Sequence, residues 1–205
     1  MDFKLLLITD RQHCGGRQLL DVVDEAFTAG VKALQVREKD LDADNLFILS
    51  QKVRSSARRH NTPPLVFVNG RPDIAMMAGL QGVQMPFNAV PSLSTIGDAM
   101  LIGVSCHNLL EATRAQENGA DFILFGPVYE TASKNGFGKP QGTAVLAKIA
   151  EKMKIPVYAV GGVTPARVKE CLDAGAHGVA VISAIMAAPS VTEAVKGFEK
   201  ELGGL

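Results

Sequence analysis

Short apolar runs recur along the chain, and a stretch with the spacing of an amphipathic helix follows each of them. The runs number eight and lie at residues 4–9, 32–36, 64–68, 82–85, 101–104, 121–125, 156–160 and 177–182. Regular alternation of strand and helix predicts a parallel sheet. Eight repeats predict its closure into a small (β/α)₈ TIM barrel that spans residues 1–205 as one domain. An open, doubly wound sheet is the alternative, but no GxGxxG motif follows the first run.

The composition narrows the class of protein. Of 205 residues, 47% are hydrophobic, and 21 basic residues balance 21 acidic ones. A neutral chain with 5% aromatic residues and no Trp lacks the basic surface and the stacking platform that nucleic-acid binding uses. The apolar run near the N-terminus, LLLI, is too short for a secretory core or a membrane span, and the three cysteines form no CxxC pair. These features predict a cytoplasmic protein that binds neither nucleic acid nor a membrane.

Polar residues follow the second and third predicted strands, at the end of the barrel where chemistry takes place in this fold. Gln35, Arg37 and Lys39 fall at every second position, so they share one face if the chain stays extended. Asn69 ends the third strand. Because Arg and Lys are the usual partners of oxygen-rich anions, the pattern predicts an anion site.

A second anion site is predicted at the last two strands. Gly161 and Gly162 end the seventh strand, and Ser183 follows the eighth. The loops at these places form the usual phosphate site of a TIM barrel. The alternative is that the glycines only make a tight turn between strand and helix.

His107 is the candidate acid–base catalyst. Ser105 and His107 both point towards the mouth of the barrel if the chain stays extended, and Cys106 points away, which makes it a packing thiol. An imidazole titrates near neutral pH and suits proton transfer. A structural histidine with satisfied hydrogen bonds is the alternative. No two of the four histidines have metal-ligand spacing, so no metal site is predicted from them.

Six segments resemble a known family, the thiamine phosphate synthase/TenI superfamily: QVREK, VNGRPDIA, GVSCHNLLEA, DFILFGPVYETASK, PVYAVGGVTPARV and GVAVISAI. The resemblance covers nearly the whole chain in the same order. It implies a (β/α)₈ barrel, present as a homodimer, that acts on phosphorylated thiazole and pyrimidine precursors of thiamine.

The superfamily contains two activities. Its synthases join hydroxymethylpyrimidine diphosphate to thiazole phosphate and expel pyrophosphate. By resemblance, the residues that would hold the diphosphate are Gln35, Arg37, Lys39 and Asn69. Those of the loop that would close over the substrates are Thr131, Ser133 and Lys134. The TenI branch contains thiazole tautomerases, which aromatise a thiazole carboxylate phosphate by a proton shift.

The metal ligands of the synthases are missing from this chain. The resemblance implies two carboxylates that hold Mg²⁺, and the matching positions are Gly70 and Ala89. Asp73 is expected to cap the following helix, and Asn88 is a neutral, weaker ligand. The NGR and VQ-x-P patterns also resemble the TenI branch.

The sequence therefore predicts a tautomerase, an isomerase whose substrate is a phosphorylated thiazole. His107 would be the catalyst, Gly161, Gly162 and Ser183 would bind the phosphate, and no cofactor would be needed. One alternative is a thiamine phosphate synthase, which also takes the pyrimidine diphosphate and needs Mg²⁺. The other is a non-catalytic binding or regulatory relative.

Overall fold

The computed structural model describes residues 1–131 and 139–203, and its centre is a closed barrel of eight parallel strands. The strands pair in sequence order, and β8 pairs with β1. Strands β1–β8 span Leu5–Ile8, Ala33–Val36, Leu65–Asn69, Gly82–Pro86, Leu101–Cys106, Phe122–Phe125, Val157–Val160 and Gly178–Val181. The predicted TIM barrel is confirmed, and every predicted strand is present.

Helices surround the barrel because one face of each carries the apolar residues that cover the strands. Helices α1–α8 span Leu19–Thr28, Ala43–Ala57, Pro72–Ala78, Leu109–Glu117, Gly142–Lys152, Pro165–Asp173, Ser183–Met186 and Val191–Leu202. No helix in the described part of the chain combines the length and the apolar character that crossing a bilayer requires.

The connection between β4 and β5 departs from the predicted alternation. It contains two 3₁₀ segments, Phe87–Thr95 and Gly97–Ala99, and no α-helix. Pro91 lies inside the first segment, where it supplies no N–H donor and its ring disfavours an α-helix. The positions around Asn88 and Ala89 are therefore set by a 3₁₀ segment, which is wound more tightly than an α-helix.

The amino-terminal end of the barrel interior is filled by aromatic rings. Phe3, Phe67, Phe122 and Tyr158 are fully buried and contact one another. The rings of Phe3 and Tyr158 stack with centroids 5.0 Å apart, and the Tyr158 hydroxyl donates to the Phe3 carbonyl at 2.7 Å. Gly82 leaves the space that the Phe67 ring occupies, because a Cβ there would lie 2.5 Å from it. Packed aromatic rings therefore fill this end of the barrel interior.

The opposite end is formed by the carboxyl ends of β1–β8 and the loops that follow them, and is called the rim below. Inward positions near the rim carry polar side chains on β2 to β5. They are Gln35, Asn69, Gln84 and Ser105. The fold therefore places three of the predicted site residues, Gln35, Asn69 and Ser105, at one end of the molecule.

Candidate active site

Gln35 and Asn69 meet at the rim, as the ends of neighbouring strands should. The Gln35 side chain is only 2% exposed, and its Nε2 donates to Asn69 Oδ1 at 3.1 Å. The Gln35 Oε1 is buried and receives no hydrogen bond from the described residues. The hydrogen bond to Asn69 therefore fixes the orientation of the Gln35 amide at the rim.

Gln84 extends the same polar arc on β4, although it was not among the predicted site residues. It is 1% exposed, and its Nε2 donates to Ser105 Oγ at 3.1 Å. The signal in the sequence is a glutamine in an otherwise apolar strand, GVQM. A polar residue buried inside a barrel requires a partner, and the partner here comes from β5.

A buried carboxylate joins the loops that follow β1 and β2. The Thr9 hydroxyl donates to Glu38 Oε1 at 2.6 Å, and the Arg11 N–H donates to Glu38 Oε2 at 3.1 Å. The Arg37 N–H in turn donates to Thr9 Oγ1 at 2.9 Å. Glu38 is 5% exposed, and burial raises the pKa of its carboxyl above the ordinary value, against the effect of these hydrogen bonds. The network fixes the backbone that carries Arg37.

The Arg37 and Lys39 side chains bring two positive charges to the rim. Burial lowers the pKa of the Arg37 guanidinium, and the charges of Asp10 and Glu38 oppose that shift. Partial desolvation lowers the pKa of Lys39, and the neighbouring charge of Arg37 lowers it further. Two cations that repel each other in a partly desolvated place form a site that an anion would stabilise.

Lys39 does not lie on an extended face with Gln35, because β2 ends at Val36 and the chain turns at Lys39. It lines a cleft of about 370 Å³ at the ends of β2 and β3, together with Asn69, Gly70 and Arg71. The structure thus places Lys39 beside Asn69, but by a turn and not by strand alternation.

The two positions at which the resemblance implies carboxylate ligands for Mg²⁺ carry no carboxylate in this protein. Gly70 has φ +67°, and a Cβ built on it would meet no atom within 4 Å. Ala89 lies in the 3₁₀ segment after β4 and has no ligand atom in its side chain. Within residues 1–131 and 139–203, no group of three or more His, Cys, Asp or Glu side chains could hold a metal ion.

The expected helix-capping role of Asp73 is wrong. Arg71 occupies the N-cap position of α3, and no side chain caps this helix. Asp73 lies in the first turn, where its carboxylate accepts hydrogen bonds from Arg71 at 2.6 and 2.8 Å. This pairing lowers the pKa of the Asp73 carboxyl.

The predicted phosphate residues Gly161, Gly162 and Ser183 line a second cavity, together with Thr131. Ser183 begins the single-turn helix α7, and the first N–H groups of a helix have no partner within it. Backbone N–H groups without a helical partner, next to residues that lack side-chain bulk, are suited to phosphate oxygens. Ser133 and Lys134 lie outside the described residues.

The two glycines also serve the tight turn that was the alternative interpretation. Their φ angles are +97° and +64°, which favour glycine. A Cβ on Gly161 would lie 2.6 Å from Pro127, and one on Gly162 would lie 2.9 Å from the Cβ of Tyr129. The close packing of the loop after β6 and the bare backbone at the cavity therefore have the same cause.

Arg167 supports this turn from outside. Its Nη1 donates to the Gly162 carbonyl at 2.6 Å, and its guanidinium lies 4.5 Å from the centre of the Tyr129 ring. The Tyr129 hydroxyl donates to Glu170 at 2.8 Å. This contact chain ties the first turn of α6 to the loop after β6, and nothing in the sequence pattern indicates it.

Two hydrogen bonds to described residues hold His107 in place. Its backbone N–H donates to Glu111 Oε2 at 2.7 Å, and its Nδ1 lies 2.6 Å from the Gly126 carbonyl oxygen. A carbonyl only accepts, so Nδ1 carries a proton. Cys106 is fully buried, and burial raises its pKa to about 12, as expected for a packing thiol. The ring of His107 therefore fastens the loop after β5 to the loop after β6.

Comparison with known proteins identifies the family. Residues 5–185 match the family described as thiamine monophosphate synthase. The chain belongs to this family. It is 35% identical to the thiamine-phosphate synthase of Clostridium novyi over 100% of this chain and 99% of that one. A protein of Geobacter sulfurreducens that carries the same name provisionally is 45% identical, over 97% of this chain and 93% of its own.

A solved structure agrees with these relatives. The thiamine phosphate pyrophosphorylase from Pyrococcus furiosus superimposes with a TM-score of 0.87 at 32% identity, covering 98% of this chain and 95% of that one.

The tautomerase prediction, and with it the isomerase class, is wrong. The relatives that match over the full chain are named as synthases, which are transferases, and closeness to the TenI branch finds no specific support. The absence of carboxylates at Gly70 and Ala89 concerns how a metal is held, and it does not determine which bond is made. The diphosphate-binding role that the resemblance implies for Gln35, Arg37 and Lys39 stays a prediction.

Proposed function

We propose that this protein is a thiamine-phosphate synthase that joins hydroxymethylpyrimidine diphosphate to thiazole phosphate and releases pyrophosphate. The observation that carries the proposal is the presence of two separate anion-binding features on one rim. Basic side chains gather at the ends of β2 and β3, and glycine-rich backbone lines a cavity at the ends of β7 and β8. A reaction between two phosphorylated substrates needs both, whereas isomerisation of one needs a single site.

The proposed reaction makes one bond and breaks one. The lone pair of the thiazole nitrogen forms a C–N bond to the pyrimidine methylene carbon. The C–O bond to the diphosphate breaks, and its electron pair leaves with pyrophosphate. No proton moves in this step. The protein must therefore orient two substrates and stabilise negative charge on the leaving group.

The residues after β2 and β3 are suited to the leaving group. Arg37 presents a planar fork of N–H donors that matches phosphate oxygens, and Lys39 adds a compact charge. The amide pair of Gln35 and Asn69 lies beside them and is held by its own 3.1 Å hydrogen bond. Charge-assisted hydrogen bonds to oxygen are strengthened as negative charge develops on it.

The cavity after β7 and β8 is suited to the phosphate of the second substrate. Gly161 and Gly162 contribute backbone groups, Ser183 contributes its backbone N–H and its hydroxyl, and Thr131 adds a hydroxyl at its edge. Fixing this phosphate holds the thiazole nitrogen at the mouth of the barrel. His107 has no proton to transfer in this reaction, and its bond to the Gly126 carbonyl gives it a positioning role for the loop after β6. A homodimer and a cytoplasmic location stay predictions.

The proposal is tested by supplying both substrates with Mg²⁺ and measuring thiamine phosphate and pyrophosphate separately. We expect the two products to appear in equal amounts, and neither to appear when either substrate is omitted. Release of pyrophosphate without thiamine phosphate, or no reaction of either substrate, would contradict the proposed function.

A further inference from the structure

The rim at the ends of β1–β3 contains several acidic side chains, but each of them already has donors. Thr9 and Arg11 donate to Glu38, and Arg71 donates to Asp73 with two nitrogens. Asp40 accepts from Arg11 at 2.6 Å and from Gln12 at 3.1 Å, and Asp10 lies 2.8 Å from His13 Nδ1. A protein that holds Mg²⁺ by itself usually does so with one or two carboxylates directed at the ion, and these carboxylates are directed at protein donors.

The cleft where a diphosphate would lie is lined by side chains of both charges. Lys39 lines it with the neutral residues Asn69 and Gly70, and Arg37 lies close enough for its charge to act on Lys39. Arg71 and Glu38 also line the cleft, and both are held by protein partners. Lys39 and Arg37 can therefore attract an oxygen-rich anion, and the Glu38 carboxylate is directed at protein donors and not at a cation.

From these contacts we infer that the protein holds no Mg²⁺ of its own, and that a divalent ion enters the cleft only as a complex with the diphosphate. Arg37 and Lys39 bind the outer phosphate oxygens, and the ion is held by oxygens of the diphosphate and by water. This inference rests on the proposed synthase function. It concerns the way in which the leaving group is neutralised, and it leaves the bond-making step unchanged.

Equilibrium dialysis with Mn²⁺ in place of Mg²⁺ tests the inference without turnover. The two ions share a preference for octahedral oxygen ligands. We expect the protein alone to retain no Mn²⁺. With inorganic pyrophosphate present, we expect it to retain Mn²⁺ and pyrophosphate in a one-to-one ratio. Retention of Mn²⁺ by the protein alone would overturn the inference. If the protein retains neither Mn²⁺ nor pyrophosphate, the cleft is not an anion site and the inference is also wrong.

A pair of substitutions at Lys39 tests the role of its charge. Lys39→Gln should reduce retention of the Mn²⁺–pyrophosphate complex at least tenfold, and Lys39→Arg, which keeps the charge, should retain most of it. Equal retention by the two variants would show that the Lys39 charge does not hold the complex, and would overturn this part of the inference. Thermal unfolding of both variants checks that each is folded.

A second pair at Gly70 tests whether the ion lies in the cleft. Asp and Asn have the same shape, both tolerate the positive φ better than other residues, and a side chain there has open space. Gly70→Asp should retain Mn²⁺ in the presence of pyrophosphate several times more tightly than Gly70→Asn, because only the carboxylate is an added charged ligand. Equal affinity would place the ion elsewhere and contradict the inference.

The inference and the proposed function fail in different ways. If Mn²⁺ is retained only with pyrophosphate but no thiamine phosphate forms from the two substrates, the inference stands and the synthase assignment is wrong. If thiamine phosphate forms but the protein alone retains Mn²⁺, the assignment stands and the inference is wrong.

Discussion

The two ends of the barrel interior are built on the same strands but with different side chains. At the amino-terminal end, Phe3, Phe67, Phe122 and Tyr158 pack ring against ring. At the rim, the inward positions of β2 to β5 carry amides and a hydroxyl that bond in pairs. Gln35 and Phe67 are paired in register on adjacent strands, so polar and aromatic side chains adjoin each other inside the barrel.

We therefore expect the two ends to serve different purposes: the aromatic end stabilises the fold, and the rim binds the substrates. Burying an aromatic ring removes a large apolar area from water and asks for no partner, whereas a buried amide must find one. At the rim the amides use side chains of neighbouring strands as partners, and the basic side chain of Lys39 lines the cleft beside Asn69. The comparison predicts that substitutions at the aromatic end change the free energy of unfolding, and that substitutions at the rim change substrate binding.

The largest effect is expected at the aromatic end. Phe3→Ala should lower the free energy of unfolding by about 3–5 kcal/mol, because it leaves a cavity against three other rings. Urea unfolding measures this loss, and Phe3→Leu, which keeps most of the volume, is the control. The KM for both substrates should be unchanged in the folded protein. A tenfold rise in either KM would show that the two ends are not separate.

A smaller effect is expected at the contact chain behind the glycine turn. Arg167→Ala removes the hydrogen bond to the Gly162 carbonyl and the stacking on Tyr129, a loss of about 1–2 kcal/mol of support for the turn. The KM for thiazole phosphate should rise about threefold to tenfold, and that for the diphosphate should stay constant. Arg167→Lys keeps a hydrogen-bond donor, so its KM for thiazole phosphate should lie between those of the wild type and Arg167→Ala. A fall in kcat with both KM values unchanged would argue against this positioning role.

The smallest effect concerns the pH dependence of stability at the rim. Burial raises the pKa of Glu38 in the folded protein, so the folded state holds its proton to a higher pH than the unfolded state does. Stability from this group is present below the unfolded value of about 4.3 and is lost as pH rises through the raised folded value, with a slope below about 1.4 kcal/mol per pH unit. Glu38→Gln should remove this slope, measured by urea unfolding at a series of pH values. If the free energy of unfolding of the variant shows the same dependence on pH, the dependence comes from another group and not from Glu38.

Much of the fold follows from local pattern, because each buried strand of a parallel barrel is an apolar run bounded by turns. The 3₁₀ segment before β5 was missed, although Pro91 marks it. The sequence predicts that Asn69 and Gln35 lie close together, because both lie near the ends of neighbouring strands. It does not predict the position of Lys39, because that position depends on where β2 ends and the chain turns.

The rest of the site depends on contacts between distant parts of the chain. Glu38 bonds to Thr9, and Arg167 contacts Tyr129, only because the closed barrel brings their loops together. No local spacing encodes such pairs. The assignment of the reaction failed for a different reason: the two absent ligands and the nearby cations Arg37 and Lys39 are all visible in the sequence, but neither observation determines which bond is made.

The central claim is that one rim holds two anion sites, each for its own substrate. The most direct test measures the KM for both substrates in Arg37→Ala and in Gly162→Ala, with Ser183→Ala as a second variant that leaves the turn unstrained. Arg37→Ala should raise the KM for the pyrimidine diphosphate at least tenfold and leave that for thiazole phosphate nearly constant, and the other two variants should do the reverse. If the variants at the two places raise the same KM, the rim has one anion site and the account is wrong.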